Sequence, residues 1–282
     1  MISNRMSRRG FLQCAASCAV VAAASRAEEG SKQGETQSVD FHVHLDNSTI
    51  DAVVALAAER GVQFGIVEHA GGKENQYPVV LSNDEELRAY CAKLEGRGVY
   101  KGVQAEWTDW RACFSRGALA ELDYVLTDTM TFPDRAGVRR KLWEKDADLG
   151  DLSTFMDRFV DWHVSILEEQ PIDILANVSW LPGPFADAYE THWTPARMER
   201  VIAAAVKNEV AIEISAGFQL PKRPFLEAAK ALGAKFCFGT NGRHPNMPKL
   251  DYALETAREL GLRPEDMFLP HPGGPKAVRR SS

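Results

Sequence analysis

The sequence predicts one α/β domain built as a distorted TIM-like (β/α)7 barrel. Seven short β-type runs alternate with amphipathic helical runs almost without a break, the pattern of a parallel sheet joined by right-handed crossovers. The chain has 282 residues, and a single βα barrel takes roughly 250. Acids and histidines recur where the β-type runs end. A parallel barrel carries its chemistry there, whereas ordinary turns fill with Gly, Asn, Asp, Ser and Pro.

In chain order, strands are expected over Val39–Val43, Gln63–Val67, Tyr100–Ala105, Tyr124–Thr127, Ile172–Val178, Val210–Ile214 and Lys235–Phe238. Helices are expected over Thr49–Arg60, Asn83–Leu94, Leu152–Gln170, Pro195–Lys207, Pro224–Leu232 and Lys249–Leu260. Thr194-Pro195 is a helix-start signal, and Gly61, Gly233 and Gly261 sit just past helix ends. No internal repeat and no second composition regime appears, so residues 38–270 read as one barrel domain. A polar linker, 28–37, precedes it, and the Pro/Gly-rich basic end, 271–282, reads as a flexible tail.

Residues 1–27 follow a different grammar. Ser7-Arg8-Arg9-Gly10-Phe11-Leu12, the small apolar run 14–24 and Ser25-Arg26-Ala27 form a twin-arginine export signal cut near Ala27. The apolar run is too short for a spanning helix. The expectation is a periplasmic or secreted protein that meets the twin-arginine export machinery and keeps no stable membrane anchor. Residues 1–27 hold four arginines and no acid, so the formal charge moves from −6 to −10 on processing. An acidic surface argues against a nucleic-acid partner. Cys91, Cys113 and Cys237 remain, without CxxC spacing, so neither a disulfide framework nor a zinc ribbon is written here. Cys237 reads as a buried hydrophobe, and a Cys91–Cys113 bridge stays open.

The strand ends hold His42 and His44, Glu68 and His69, Glu106, Asp128, Asn177, Glu213 and Ser215, then Asn241, Arg243 and His244. A period of two puts His42 and His44 on one side of the first strand, where both imidazoles can reach one cation. Neutral imidazole suits zinc, iron or manganese.

These residues carry a family resemblance. Asp40-Phe-His42-Val-His44, Glu68-His69-Ala and Gly102-Val-Gln-Ala-Glu106, continued by Ile212-Glu213-Ile-Ser and Phe238-Gly-Thr-Asn241, resemble the PHP (polymerase and histidinol phosphatase) superfamily, in its histidinol-phosphatase branch. The resemblance implies a seven-stranded βα barrel with up to three metals at the strand C-termini and hydrolysis of phosphate esters by metal-activated water. Position by position, it implies His42, His44, His69 and Glu106 as metal ligands. Three family positions depart: Met130 and Asn177 stand where histidines are expected, and Asn241-Gly-Arg243-His244 replaces Asp-x-His, with His244 displaced by one residue.

The departures reduce the expected cofactor to one divalent ion, zinc, manganese or iron, or at most two. His244 or Asp128 restores a ligand from a shifted position. Asp128 and Arg243 are the catalytic candidates. Arg243, Lys222, Arg223, Asn177 and Asn241 are the candidates for holding a small anionic substrate. Glu68 and Asp109 read as partners that orient imidazoles, His163 as structural, and the aromatic stretch Trp180–Trp193 as a lid or as rim packing. The expected activity is an exported metal-dependent phosphoesterase. Two alternatives stand beside it: a catalytically degenerate periplasmic ligand-binding barrel, and a hydrolase or lyase of a non-phosphorylated metabolite.

Overall fold

Seven parallel strands close on themselves in the computed structural model, which describes residues 38–46, 48–144 and 149–280. The expected signal and linker, 1–37, lie outside them. The barrel strands are β1 (Val39–His44), β2 (Gln63–Ala70), β3 (Tyr100–Ala105), β4 (Tyr124–Thr127), β5 (Ile174–Leu175), β6 (Ala211–Ser215) and β7 (Phe236–Gly239). Each pairs in parallel with the next, and β1 pairs with both β7 and β2. The expected fold class is the observed one.

The crossovers are helical: α1 (Ile50–Arg60), α2 (Asp84–Leu94), α3 (Leu152–Glu169), α4 (Pro195–Lys207) and α5 (Arg223–Ala231), with α6 (Asp251–Leu260) following β7. The starts obey their sequence signals, since Thr49, Asn83, Asp151 and Thr194 each accept a backbone N–H of the first turn. Such caps stabilise a helix by about 1 kcal/mol each. Gly61 and Gly261 close α1 and α6 in the left-handed conformation, which costs glycine least. Between β3 and β4 the chain forms a 3-10 turn, Trp110–Cys113, and the short helix Arg116–Leu119.

The barrel interior is layered. A lower cluster draws on every strand through Val39, Phe41, Val67, Tyr124, Ile174 and their neighbours, with Phe268 packed beneath on Phe41 and Tyr124. Tyr124 fills the space left by Gly65 and Gly102, where an added Cβ would collide with its ring, and donates its hydroxyl to the Phe41 carbonyl at 2.7 Å. Two residues further along the strands, the inward positions turn polar: His69 after Val67, Asp128 after Leu126, Glu213 after Ala211. A period of two thus separates an apolar floor from a polar mouth. The β1–β2 register shifts between Asp40 and Val43, so β1 presents Phe41 to the floor and then both His42 and His44 to the mouth.

The chain end departs from expectation. The end of the chain is not a loose tail: Lys276–Arg279 is helical, and Lys276 and Ala277 are buried. Asp173, itself buried, accepts the Lys276 N–H, and the Lys276 ammonium donates to the carbonyls of Asn208 and Glu209. These contacts tie the chain end to the barrel at Lys276. An unexpected antiparallel hairpin, Thr131–Pro133 with Arg139–Lys141, projects after β4. Cys91, Cys113 and Cys237 are free, so no Cys91–Cys113 bridge exists. The aromatic stretch is rim packing: Trp193 is buried and donates to the Ser179 carbonyl, and Phe185 packs on Phe155. Among the described residues no helix is long and apolar enough to cross a membrane.

Candidate metal centre at the barrel mouth

His44, Asp46 and His69 meet at the mouth, each offering one ligand atom within 4.8 Å of the others. His44 ends β1 and His69 lies near the end of β2, and their rings stack at 4.7 Å between centroids. Asp46 lies two residues past β1 in a left-handed turn, φ 45°, a conformation Asp tolerates better than most residues. Glu68 fixes that turn: its Oε1 accepts the N–H groups of Leu45 and Asp46, both at 3.1 Å. The glutamate expected to orient an imidazole orients a backbone turn instead.

Several polar atoms here are buried without a hydrogen-bond partner: both ring nitrogens of His44, Nε2 of His69, Oδ1 of Asp46 and Oε2 of Glu68. Buried polar groups normally find partners, and an unmet one costs about 1–3 kcal/mol. Four of the five can offer lone pairs at once, since a neutral His44 keeps a proton on one of its two nitrogens. Two imidazoles and a carboxylate form a donor set for zinc, iron or manganese, so the residues present fit a divalent cation.

The protonation of this set agrees. Burial above all, with cationic neighbours that include His42 and Arg243, pushes His44 well below the ordinary histidine range. Burial followed by Arg243 takes His69 down to about 3. Both rings are neutral and free to donate a lone pair. His69 Nδ1–H donates to Glu106 Oε1 at 2.7 Å, which leaves Nε2 turned to the centre. Tyr77 stacks on His69 at 3.6 Å and 8°, and its hydroxyl donates to Glu106 Oε2 at 3.2 Å. Burial raises Glu106 to about 7, and burial with the Asp46 charge raises Glu68 to about 7. A cation beside them would favour the ionised forms.

The expected ligands His42, Glu106 and His244 stand outside this group. His42 places Nδ1 2.7 Å from Glu213 Oε2 and Nε2 3.1 Å from Gln104 Oε1, so both nitrogens donate. Burial opposes that charge, but Glu213 outweighs it and raises the His42 pKa. Gly239 leaves room for the pair, since an added Cβ would strike both Glu213 and His42. Glu106 is spent on His69 and Tyr77, and His244 precedes a cis proline on the β7–α6 connection.

The other candidates divide in the same way. Asp128 is at the mouth; its Oδ1 accepts Met130 N–H at 3.0 Å, and burial followed by the Glu106 charge raises it to about 6. Asn177 and Asn241 adopt left-handed backbone, φ 49° and 50°. Asn177 reaches toward Asp128 and Ser215, and Asn241 accepts from Arg243. Arg243 is not a free anion clamp: Nε donates to Asp46 Oδ2 at 2.6 Å and Nη1 to Asn241. Arg223 pairs with Glu227 and Glu259 on the outer helices, and Lys222 is exposed beside it. Asp109 stands at the start of the Trp110–Cys113 turn without a side-chain cap bond.

Asp46, Gln104, Tyr77 and the hairpin cations Arg139 and Lys141 went unread in the sequence. Only Asp46, an acid two residues beyond the His42–His44 pair, carried a local signal. A cavity of about 620 Å³ lined by Asp46, Ser48, Thr49, Glu68 and Tyr90 opens beside the centre. A larger cleft of about 950 Å³, near Tyr100, Asp123 and His271, lies at the opposite end of the strands and touches none of these groups.

Fold and site together define a parallel seven-stranded barrel with a candidate metal centre at its strand C-termini. No family model matches the chain, and no curated protein matches it in sequence. Among solved structures, it is similar to the histidinol phosphate phosphatase of Lactococcus lactis in complex with zinc, L-histidinol and phosphate. That match has a TM-score of 0.58 and 15% identity, over 80% of this chain and 93% of that one. A weaker match is the HpcH/HpaI aldolase of Desulfitobacterium hafniense, with a TM-score of 0.38 at 15% identity, covering 80% of this chain and 92% of that one. At 15% identity the likeness to the phosphatase is one of fold.

Proposed function

We propose that this chain is an exported, metal-dependent hydrolase of phosphate esters that works at the strand-end mouth of the barrel. The observation that carries the reading is the trio His44, Asp46 and His69, whose ligand atoms lie within 4.8 Å of one another and which holds buried polar atoms without hydrogen-bond partners. The zinc, histidinol and phosphate held by the similar Lactococcus barrel support the choice of a divalent ion and a phosphoester.

A bound zinc, manganese or iron ion would supply Lewis acidity, acidifying a water and polarising the ester. The chain's own residues do the rest. Glu106 orients His69, Glu68 and Arg243 hold Asp46, and Asp128, whose pKa burial raises to about 6, is placed to pass a proton to the leaving group. Purified protein should hydrolyse p-nitrophenyl phosphate only after supply of a divalent cation, and His44→Ala should abolish the gain. No activity with any of the three metals would refute the assignment.

A second reading, a ligand-binding barrel without catalysis, draws on Met130, Asn177 and Asn241, which occupy positions where the family resemblance expects ligands. It predicts ligand affinity that survives His44→Ala. Export is proposed from the twin-arginine segment alone. An Arg8→Lys/Arg9→Lys variant should accumulate uncleaved in the cytoplasm.

A further inference from the structure

The hairpin after β4 turns two cations toward the metal centre. Thr131 pairs with Lys141 and Pro133 with Arg139, and the period of two puts residues 139 and 141 on one face and Arg140 on the other. Lys141 Nζ lies 4.9 Å from the Tyr77 ring centroid and donates to the Asn75 carbonyl at 3.2 Å. Arg139 lies over Trp107 at 5.4 Å and forms an ion pair with Glu106, Nη2 to Oε2 at 3.6 Å, too long for a hydrogen bond. Its side chain is only 19% exposed, and Nε and Nη2 have no acceptor. Arg140 is 51% exposed and paired with Asp134.

A guanidinium shielded from water with unmet donors is costly unless something accepts from it. The other cations near the mouth are already hydrogen-bonded, Arg243 to Asp46 and Asn241, Lys73 to Glu86 and the Val80 carbonyl, whereas Arg139 has only its longer ion pair with Glu106. Arg139 has donors to spare, in the planar fork that suits an oxyanion. It stands one residue, Glu106, away from the ligand His69.

We propose that Arg139, with Lys141 adding charge beside it, is the clamp for an oxyanion of the substrate, a phosphate or a carboxylate. The role expected of Arg243 thus belongs to the hairpin. Because Arg139 lies behind Glu106 relative to the cation donors, it selects substrates carrying an oxyanion outside the reacting centre. The proposal rests on the mouth being a substrate site, but its test requires no cation.

The full chain, freed of metal with a chelator that is then removed, is titrated calorimetrically with inorganic phosphate and, separately, with acetate. At least one anion should bind, and Arg139→Gln should weaken it at least about tenfold, with Arg139→Lys intermediate. Arg140→Gln should stay within about twofold of wild type. Preference for phosphate or for acetate identifies which oxyanion the clamp takes. The proposal is overturned if wild type binds neither anion, if Arg139→Gln binds as wild type does, or if Arg140→Gln loses as much. Melting curves confirm that each variant folds, and Arg139→Lys keeps the test decisive should Arg139→Gln fail to. Absence of a cation site would refute the hydrolase reading and leave this result standing.

Discussion

Glu106 Oε1 lies 2.7 Å from Nδ1 of His69, and that contact decides which edge of the imidazole faces the barrel mouth. The carboxylate takes the proton-bearing nitrogen, so the lone pair of Nε2 is delivered to His44 and Asp46. Carboxylate–histidine pairs of this kind tune a metal site through its ligand.

Glu106→Ala should therefore weaken divalent-cation affinity about 10–100-fold while leaving one ion per chain at saturation. Calorimetric titration with Mn²⁺ measures both quantities. Loss of stoichiometric binding would make Glu106 a direct ligand.

Asp46 supplies the one carboxylate of the trio. Asp46→Asn keeps the left-handed turn but removes the negative charge and should cost about tenfold or more in cation affinity, since Asn is a neutral and weaker ligand. Unchanged affinity in the same titration would exclude Asp46 from the site.

His163 is buried in α3 with Nδ1–H donating to the Phe159 carbonyl and Nε2 accepting from Thr129, a pairing that only the neutral ring satisfies. Burial lowers its pKa to about 4. Its contribution to stability is fully present above the unfolded value of about 6.5 and is lost as pH falls through about 4, at most about 3 kcal/mol. Urea unfolding at pH 7 and pH 4.5 should show a smaller acid loss in His163→Gln than in wild type. Equal losses would refute the assignment.

Lys276 and Asp173 anchor the chain end. Lys276→Ala leaves Asp173 without one of its cations and the Asn208 and Glu209 carbonyls without their donor. It should destabilise the barrel by about 3 kcal/mol, read as a lower urea midpoint. A change under about 0.5 kcal/mol, typical of a neutral surface site, would restore the loose-tail view.

The barrel was legible because β-type and helical runs alternate almost without a break and acids and histidines gather at the run ends; Tyr124, Leu126 and Asp128, or Ala211 and Glu213, show floor and mouth in one strand. Boundaries slipped where polarity misleads. β2 runs on to Ala70 because Glu68 and His69 are polar yet buried, and the fifth strand shrinks to Ile174–Leu175 where Asn177 turns left-handed. In the centre, His44 and His69 were legible from their strand-end positions. His42 looked equivalent to His44, and what separates them is Glu213 and Gln104, 171 and 62 residues away. No local pattern carries such partners. Arg139 was hidden for a related reason: its hairpin has no apolar alternation to announce it.

The central claim is that His44, Asp46 and His69 hold one divalent cation. Metal content by mass spectrometry, after loading with zinc, manganese or iron and desalting, tests it most directly. The account predicts one ion per wild-type chain and almost none in His44→Ala. A wild-type chain that retains no ion, or a His44→Ala chain that retains the full complement, would contradict it.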